Sequence, residues 1–268
     1  MTDADLLNPW RSIQSIRRIA PVVHSITNYV VMNNTANALL ALGASPIMAH
    51  AEEEMAEMVA ISAALVINIG TLSSAWIRSM FAAAEHARKR AIPIVLDPVG
   101  AGATTYRTST ARDLINAARP CIIRGNASEV MALVSDSVRS KGVDSQDPAS
   151  AALSAARNIH QTFGSTVCIS GETDYIVGEA GLIQVRNGHP MMTRVTGLGC
   201  TASALCGAFA AVETDPMRAA AQAMIVMGIA GEMAAEGAHG PGTLQVRFLD
   251  ALYCLTQQDV EGRIRLGS

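Results

Sequence analysis

The sequence predicts an α/β fold, a doubly wound and mostly parallel sheet with helices on both faces and a small hairpin at one edge. Short β-rich runs alternate along the chain with longer runs of helical periodicity. Most of the short runs are continuously apolar, which is typical of parallel strands covered on both faces. The 268 residues contain no repeat, linker or low-complexity tract, so residues 1–268 are predicted to form a single domain.

Six short runs are predicted to be the strands of the parallel sheet. They are residues 22–26, 46–48, 65–69, 93–96, 121–124 and 166–170. Two later runs, 175–177 and 182–185, are separated by Gly178 and Gly181 and predict the hairpin. Ligands of doubly wound folds bind at the carboxyl ends of the strands, so the residues that follow these runs are the candidates for a functional site.

Helical patterns fill the intervals between these strands and the remainder of the chain. They cover residues 31–42, 52–60, 73–90, 111–118, 127–134, 148–163, 201–212, 217–235 and 244–255. Pro148 suits the first position of a helix, and Asp147 directly before it is predicted to be the cap.

Composition and charge exclude several classes of partner. Twenty Lys and Arg against 23 Asp and Glu give a net charge of −3, and only ten Phe, Tyr and Trp side chains are present, so no nucleic-acid partner is expected. The longest apolar runs, 204–212 and 223–231, have nine residues each, whereas a membrane-spanning helix needs about 20. Asp3 and Asp5 interrupt an N-terminal segment without an apolar core, so we expect no signal peptide, no membrane partner and a cytoplasmic location.

The cysteines, histidines and lysines narrow the chemistry further. The five cysteines are odd in number and widely spaced, which indicates reduced thiols rather than a disulfide framework, and no Cys or His pair has zinc spacing. The only lysines, Lys89 and Lys141, do not follow a glycine run, so a Walker A loop is excluded. Any phosphate chemistry must therefore rely on arginine, backbone N–H groups and a metal ion.

Residues 196–200, Thr-Gly-Leu-Gly-Cys, run directly into an alanine-rich helix. Glycines allow a ligand to approach the backbone closely, and the free N–H groups of a helix start favour an anion, so Gly197 and Gly199 are predicted to line an anion site. An ordinary tight turn is the alternative. A dinucleotide fingerprint also fits Gly197, Gly199 and Ala202, but it requires a preceding apolar strand, which residues 192–195 do not provide.

Cys200 has two interpretations at this helix start. A helix dipole would lower the pKa of its thiol and suit a nucleophile, but no neighbouring His or Asn completes a catalytic set. In the alternative, Cys200 is a small buried residue that packs the start of the helix. Its position in the sequence favours neither interpretation.

Polar residues also follow other predicted strands. Arg124 ends one strand, and Asn126 and Glu129 behind it have the spacing of a capping box. In a functional role, Glu129 would hold Mg²⁺ and Arg124 would face phosphates. Asp97 ends another strand beside Pro98, where it either forms a turn or supplies a carboxylate ligand. Several polar or glycine-rich strand ends in one chain favour a shared cleft over unrelated turns.

Taken together, these motifs resemble the hydroxyethylthiazole kinase family, which belongs to the ribokinase-like superfamily. The matching segments are residues 25–30, 43–48, 68–72, 97–102, 124–129 and 196–200, and the similarity extends from about Ile16 to Tyr253. The Asn-x-x-Glu element and the glycine loop occur throughout the superfamily. Cys200 stands where most relatives carry Asp, and this feature is specific to the thiazole kinases.

The resemblance implies ATP- and Mg²⁺-dependent phosphorylation of the primary alcohol of 4-methyl-5-(2-hydroxyethyl)thiazole, a step of thiamine salvage. It also implies a homotrimer with active sites between subunits. By resemblance to the family, the thiazole would be bound by Met48, Gly197 and Asn28, and ATP by Arg124 and Ser170. Mg²⁺ would be held by Glu129, Asn126 and Asp97, and the catalytic residues would be Cys200, Gly197 and Gly199. Relatives commonly carry Thr in place of Ser170, so the hydroxyl is retained.

Three other functions stay open at this point. One is a kinase of the same superfamily that phosphorylates a different small alcohol. Another is a hydrolase that depends on Cys200 as its nucleophile. The third is a sensor that binds nucleotide or thiazole without turnover.

Overall fold

Eight strands form one sheet in the computed structural model, which describes residues 7–134 and 148–267. The strands are β1 Val22–Ile26, β2 Ser45–Ile47, β3 Ala64–Asn68, β4 Ile94–Asp97, β5 Ile122–Asn126, β6 Thr166–Ser170, β7 Asp174–Gly178 and β8 Gly181–Val185. Their order is β2-β1-β3-β4-β5-β6-β7-β8; the first six are parallel, and β7 and β8 add an antiparallel hairpin. The predicted fold class and its edge hairpin are confirmed.

Helices cover both faces of this sheet. They are α1 Trp10–Ile19, α2 Met32–Leu42, α3 Met55–Ile61, α4 Ser74–Lys89, α5 Thr105–Ala118, α6 Ala127–Leu133, α7 Pro148–Phe163, α8 Leu198–Ala210, α9 Pro216–Ala235, α10 Pro241–Cys254 and α11 Gln257–Arg263. Buried side chains of α1, α2 and α8–α11 form one core with Val66 of the sheet. Those of α3–α7 form a second core with Leu65 and Ile67, so alternate residues of β3 face opposite cores.

The order of the strands reverses at β1, because the chain passes from β1 to β2 on one side and to β3 on the other. In open α/β sheets, a crevice forms outside the carboxyl ends of the strands at such a switch point. Asn68 pairs in register with Asp97, and Asn126 with Ser170, so these strands end at the same edge. The fold therefore brings the predicted strand-end residues together.

Two helices, α1 and α11, were not expected from the sequence. α1 buries only Ile13 and Ile16 and carries arginines elsewhere, and α11 buries only Val260. A helix that buries so narrow an apolar stripe leaves little periodicity in the sequence. Asp147, which was predicted to cap α7, lies outside the described residues.

Several helices begin earlier than expected, among them α5, α8 and α10, which begins at Pro241 rather than residue 244. α5 begins at Thr105 rather than residue 111, because the Thr104 side chain accepts a hydrogen bond from the Arg107 N–H and caps a polar first turn. α8 begins at Leu198 rather than residue 201, so Gly199 and Cys200 lie within its first turn. In the described part of the chain, no helix is both long and apolar enough to cross a membrane.

Candidate active site

A hydrogen-bonded cluster joins the ends of β1, β3 and β4 to the start of α8. Asn28 Nδ2 donates to Asn68 Oδ1 at 2.9 Å and lies 3.5 Å from Cys200 Sγ. Asn68 Nδ2 in turn donates to Asp97 Oδ2 at 2.8 Å. Ser203 Oγ donates to the same Asp97 oxygen at 2.8 Å. We call these five residues the strand-end network; three of them, Asn28, Asp97 and Cys200, were predicted from the sequence.

Asp97 is the fully buried carboxyl group of this network. Burial raises its pKa to about 6, although Arg124 and the hydrogen bonds from Ser203 and Asn68 favour the charged form. A buried carboxylate is stable only beside compensating positive charge or donors. The cleft therefore holds a carboxylate whose charge is balanced by the neighbouring strand.

Arg124 supplies that positive charge from β5. Burial alone lowers the pKa of its guanidinium, but surrounding acidic groups, Asp97 foremost, raise it overall, so the group stays charged. Its Nε is buried and has no hydrogen-bond partner. A Cβ on Gly199 would lie 2.9 Å from Arg124 Nη1, so the guanidinium contacts the start of α8. An unpartnered buried donor beside a helix start is suited to a bound anion.

The start of α8 is a second source of N–H donors. Gly197 has a φ of +85° and a ψ of −6° at the N-cap, a left-handed conformation that favours glycine. The first intrahelical bond runs from Thr201 N to Gly197 O, so the N–H groups of residues 198–200 have no acceptor within the helix. A 3₁₀ segment, Pro190–Arg194, precedes this loop instead of a strand, which disfavours the dinucleotide fingerprint.

Glu129 is held rigidly at the start of α6. Its Oε1 accepts from Gly100 N and its Oε2 from Asn126 N, both at 2.8 Å. The Asn126 side chain accepts from Glu129 N at 2.9 Å, which completes the predicted capping box. Asn126 Oδ1 also accepts from Ser128 Oγ, so this oxygen supports Glu129 and is already used twice.

The carboxylates of Glu129 and Asp97 are the hard oxygen donors that Mg²⁺ prefers. Mg²⁺ usually keeps several waters and binds one or two carboxylates together with substrate phosphates. Within residues 7–134 and 148–267, no group of three or more His, Cys, Asp and Glu side chains is arranged to hold a metal. The donor set therefore fits a cation that arrives with phosphates and does not form a closed metal site.

Cys200 is a half-buried thiol rather than a thiolate. Burial raises its pKa, and the nearby Asp97 charge raises it further, while hydrogen bonds from Asn68 and Asn28 act in the opposite direction. The raised pKa disfavours the first interpretation of Cys200, in which the helix start lowers the pKa of this thiol. A protonated thiol is a poor nucleophile, which disfavours the Cys200-dependent hydrolase.

A cavity of about 970 Å³ opens beside Arg124 and the start of α8. Ser170, which is half-buried, lines it, with its Oγ 3.4 Å from Gly125 O. Met224 and Met227 of α9 contribute apolar lining. This volume suits a ligand of nucleotide size, with an anionic end at Arg124 and an apolar end at the methionines.

Met48 lies outside the strand-end network. It follows the last residue of β2 and is half-buried against the core of α1, α2 and α8. Because β2 pairs with β1 in parallel, Met48 lies at the same sheet edge as Asn28. From the sequence alone it was indistinguishable from a core residue.

Three residues with clear structural roles in the cleft were not singled out by sequence reasoning. Asn68 ends an apolar strand with a polar side chain, a signal that the sequence did offer. Ser203 is buried inside an alanine-rich helix and stands three residues after Cys200. Arg107 gave no signal, yet its guanidinium donates to the carbonyls of Ile69, Val99 and Gly70 at 2.8, 3.0 and 3.0 Å. It joins the loops that follow β3 and β4.

Asp174, which borders the cavity, is expected to make stability depend on pH. Burial raises its pKa to about 6, while a hydrogen bond from Gly171 N opposes this. The folded state therefore favours the protonated carboxyl, and this contribution is lost as pH rises from about 4 through 6. Asp174→Asn is neutral and retains an acceptor, so it should raise the free energy of unfolding at pH 7 by about 1–3 kcal/mol, an advantage that disappears near pH 4.

Urea unfolding at matched protein concentration between pH 4 and 7 measures this difference. The exposed Asp113→Asn on α5 is the control, and its difference from the parent should stay small throughout. A stability difference for Asp174→Asn that does not change with pH would contradict the assignment.

Comparisons with known proteins identify the family to which the chain belongs. A sequence profile described as the hydroxyethylthiazole kinase family matches residues 13–258. The chain is 62% identical over 260 residues to a hydroxyethylthiazole kinase of Syntrophus aciditrophicus (strain SB), covering 97% of this chain and 96% of that protein. It is 53% identical over 264 residues to a protein of the same name from Leptospira biflexa serovar Patoc, covering 98% and 99%.

Solved structures extend the comparison to the fold. The structure of a hydroxyethylthiazole kinase protein from Pyrococcus horikoshii OT3 has a TM-score of 0.89 at 41% identity and covers 98% of both chains. A ribokinase-like superfamily protein from Enterococcus faecalis V583 shares the fold, with a TM-score of 0.63 at 14% identity. The profile spans most of the chain, and the relatives named above cover nearly all of it. This chain therefore belongs to the hydroxyethylthiazole kinase family.

Proposed function

We propose that this chain transfers the γ-phosphoryl group of ATP to the primary alcohol of 4-methyl-5-(2-hydroxyethyl)thiazole in thiamine salvage. The observation that carries the proposal is the meeting of two surfaces at Cys200. On one side lies the amide of Asn28, and on the other lie the N–H groups of the α8 start beside Arg124. An alcohol placed at Cys200 would have the terminal phosphate of a nucleotide directly opposite. Residues 1–268 would act as one kinase domain.

The thiazole would contact Asn28, Met48 and Gly197. A Cβ on Gly197 would lie 2.6 Å from Val31 Cγ1, so the glycine loop and the segment that follows Asn28 are packed together. Close packing of this kind would hold the alcohol at a fixed distance from the anion site. Such positioning is a major part of catalysis when a bimolecular step must become effectively unimolecular.

ATP would occupy the cavity beside Arg124 and Ser170. The Arg124 guanidinium and the N–H groups of residues 198–200 would bind the phosphates, and the Ser170 hydroxyl would contact the nucleotide. Phosphoryl transfer passes through a loose transition state whose charge is spread over the equatorial oxygens, so preorganised donors stabilise it directly. A new bond forms between the alcohol oxygen and the γ-phosphorus while the bond to the leaving ADP oxygen breaks.

Glu129 and Asp97 would hold Mg²⁺ together with the phosphates, and Asn126 would support Glu129. Mg²⁺ bound there would supply positive charge that offsets the negative charge on the leaving group. The rigid hydrogen bonds of Glu129 would keep its carboxylate in place between turnovers. Asp97 would be held from two sides by Asn68 and Ser203.

Cys200, together with Gly197 and Gly199, would form the catalytic position. A protonated thiol is a weak base, so Cys200 would mainly orient the hydroxyl, whose proton would pass late in the transfer to an oxygen of the transferred phosphoryl group. Cys200→Ala is therefore expected to lower kcat by less than the roughly 10²–10⁴-fold of a positioned general base. Cys200→Asp is expected to remain active.

Steady-state kinetics of both variants test this role, with the exposed Cys254→Ala on α10 as the control. Complete loss of turnover in both Cys200 variants, with ATP binding intact, would instead indicate covalent catalysis.

The function itself is tested by measuring release of ADP from ATP. We expect release to require both hydroxyethylthiazole and Mg²⁺, and to stop when either is omitted. A panel of other small alcohols at fixed ATP separates this activity from that of a related alcohol kinase. No turnover by a folded preparation would overturn the proposal and favour a sensor.

The proposed assembly is a cytoplasmic homotrimer with active sites between subunits. Tyr29 and Val30 directly follow Asn28 and are 64% and 66% exposed, so an apolar surface adjoins the proposed thiazole site. Covering it with another copy would close the site from solvent. Light scattering should then give three times the chain mass of 28.1 kDa.

A further inference from the structure

Asn68 is the central residue of the strand-end network. Asn68 is 1% exposed and makes three hydrogen bonds with Asn28, Gly70 and Asp97, and it also lies beside the thiol of Cys200, whose pKa it lowers. Oδ1 accepts from Asn28 Nδ2 and from Gly70 N, both at 2.9 Å, and Nδ2 donates to Asp97 Oδ2 at 2.8 Å. One amide thus connects the residues that follow β1, β3 and β4.

The partners of Asn68 permit only one orientation of its amide. The Gly70 N–H can only donate, so the oxygen of Asn68 must face it. The carboxylate of Asp97 accepts, so the nitrogen of Asn68 must face Asp97. Reversing the amide would leave the half-buried Gly70 N–H and the buried Asp97 carboxyl group without these bonds, at a cost that exceeds the value of an ordinary hydrogen bond.

The orientation of Asn68 then determines that of Asn28. Asn28 Oδ1 accepts from Val30 N at 3.2 Å, and Asn28 Nδ2 donates to Asn68 Oδ1. The second hydrogen on Asn28 Nδ2 remains available toward Cys200 Sγ, 3.5 Å away. A Cβ on Gly70 would lie 2.5 Å from Asn28 Nδ2, so backbone packing also confines this amide.

We propose that Asn68 is a positioning residue that aims one N–H of Asn28 into the alcohol subsite at Cys200. This inference rests on the proposed function, since it assigns the substrate alcohol to the space between Asn28 and Cys200. Asn68 itself would not touch the substrate. Ser203 belongs to a separate branch of the network, because it contacts Asp97 and not Asn28.

Substitutions of Asn68 distinguish a role in positioning Asn28 from a general role in stabilising the fold. Asn68→Ala removes the acceptor for Asn28 and should raise the KM for the thiazole by about 10-fold, with the KM for ATP changed by less than about 2-fold. Asn68→Asp keeps an acceptor for Asn28 and Gly70 but places a carboxylate against Asp97. It should therefore keep the thiazole KM within about 3-fold of the parent and lower kcat by about 10-fold or more.

A double-mutant cycle measures the coupling between the two amides. Asn28→Ala combined with Asn68→Ala should raise the thiazole KM no more than Asn28→Ala alone. Asn116→Ala, an exposed asparagine on α5, is the matched control and should leave all parameters unchanged. Ser203→Ala should affect kcat while leaving the thiazole KM close to that of the parent.

Several results would overturn the inference. The inference is wrong if the effects of Asn28→Ala and Asn68→Ala on the thiazole KM multiply in the cycle, or if Asn68→Ala raises the KM for thiazole and for ATP equally. It is also wrong if the thiazole KM is as high in Asn68→Asp as in Asn68→Ala. If Asn68→Ala does not fold, the Asn68→Asp result decides. A crystal structure of an Asn68 variant without substrate gives a readout independent of turnover.

In that crystal structure, Asn28 should leave its position beside Cys200 when Asn68 is Ala, and keep it when Asn68 is Asp. An unmoved Asn28 in Asn68→Ala refutes the inference. A different pair of results refutes the proposed function alone: Asn28 is displaced in the variant, but the unmodified protein shows no thiazole-dependent turnover.

Discussion

Replacing Arg124 with lysine is expected to lower kcat/KM by about 10²–10³-fold, because a planar fork of donors becomes a single point charge. The Arg124 guanidinium contacts the start of α8 at Gly199, and its buried Nε has no partner. Several donors are therefore held ready for phosphate oxygens. A lysine ammonium in this position would contact fewer of those oxygens, and it is more strongly hydrated than a guanidinium.

The lysine variant separates geometry from charge. It retains a cation opposite Asp97, so the buried carboxylate keeps its compensation and the protein should fold. Arg124→Met removes the charge, and the pKa of Asp97, already about 6, should rise further. We therefore expect the methionine variant to lose stability as well as activity.

Kinetics with ATP as the varied substrate, together with ADP binding in the absence of thiazole, test the role of Arg124. The exposed Arg11→Lys on α1 is the control. Unchanged ADP binding and kcat/KM in Arg124→Lys would show that the guanidinium fork does not contact the nucleotide.

The sheet could be predicted from the sequence because its strands are buried on both faces. Short continuous apolar runs such as 64–67 are typical of strands covered by a helix layer on both sides, as the opposite burial of Val66 and Leu65 shows. The sequence did not predict α1, α11 or the first turn of α5, because few of their residues are buried. α1 and α11 bury one or two apolar residues each, and the polar first turn of α5 depends on a cap at Thr104 rather than on periodicity.

The residues of the cleft could be predicted only where they end a strand or begin a helix. Asp97 ends β4 and Glu129 lies in the first turn of α6, whereas Arg124, expected to end its strand, lies two residues before the end of β5. Parallel strands bring these ends together. Ser203 and Arg107 lie inside helices, where a polar residue is usually solvated, and only the fold reveals that they turn inward. The sequence position of Cys200 favoured neither of its two interpretations, and the pKa of the thiol is raised because of burial, which only the fold reveals.

Gly197→Ala is expected to lower the free energy of unfolding by about 1–3 kcal/mol and kcat/KM by about 10²-fold or more. Its φ of +85° is unfavourable for any residue with a Cβ, and that Cβ would lie only 2.6 Å from Val31 Cγ1. To relieve the contact, the first turn of α8 must shift away from Val31. Gly199 and Cys200 lie in that turn, so the donors for phosphate and the thiol for the alcohol would move together.

Gly164→Ala is a matched control for this prediction, because Gly164 has a φ of +74° and open space around its missing Cβ. Gly164→Ala should lower the free energy of unfolding because of the unfavourable φ alone, and it should leave kcat/KM unchanged. Truncating the opposing side chain gives a second test: Val31→Ala combined with Gly197→Ala removes the steric contact but not the strained φ. Partial recovery of kcat/KM in the double variant, without full recovery of stability, would show that the distance between the Val31 segment and the α8 start controls the reaction. If activity stays at the level of Gly197→Ala, backbone conformation at residue 197 is the dominant requirement instead.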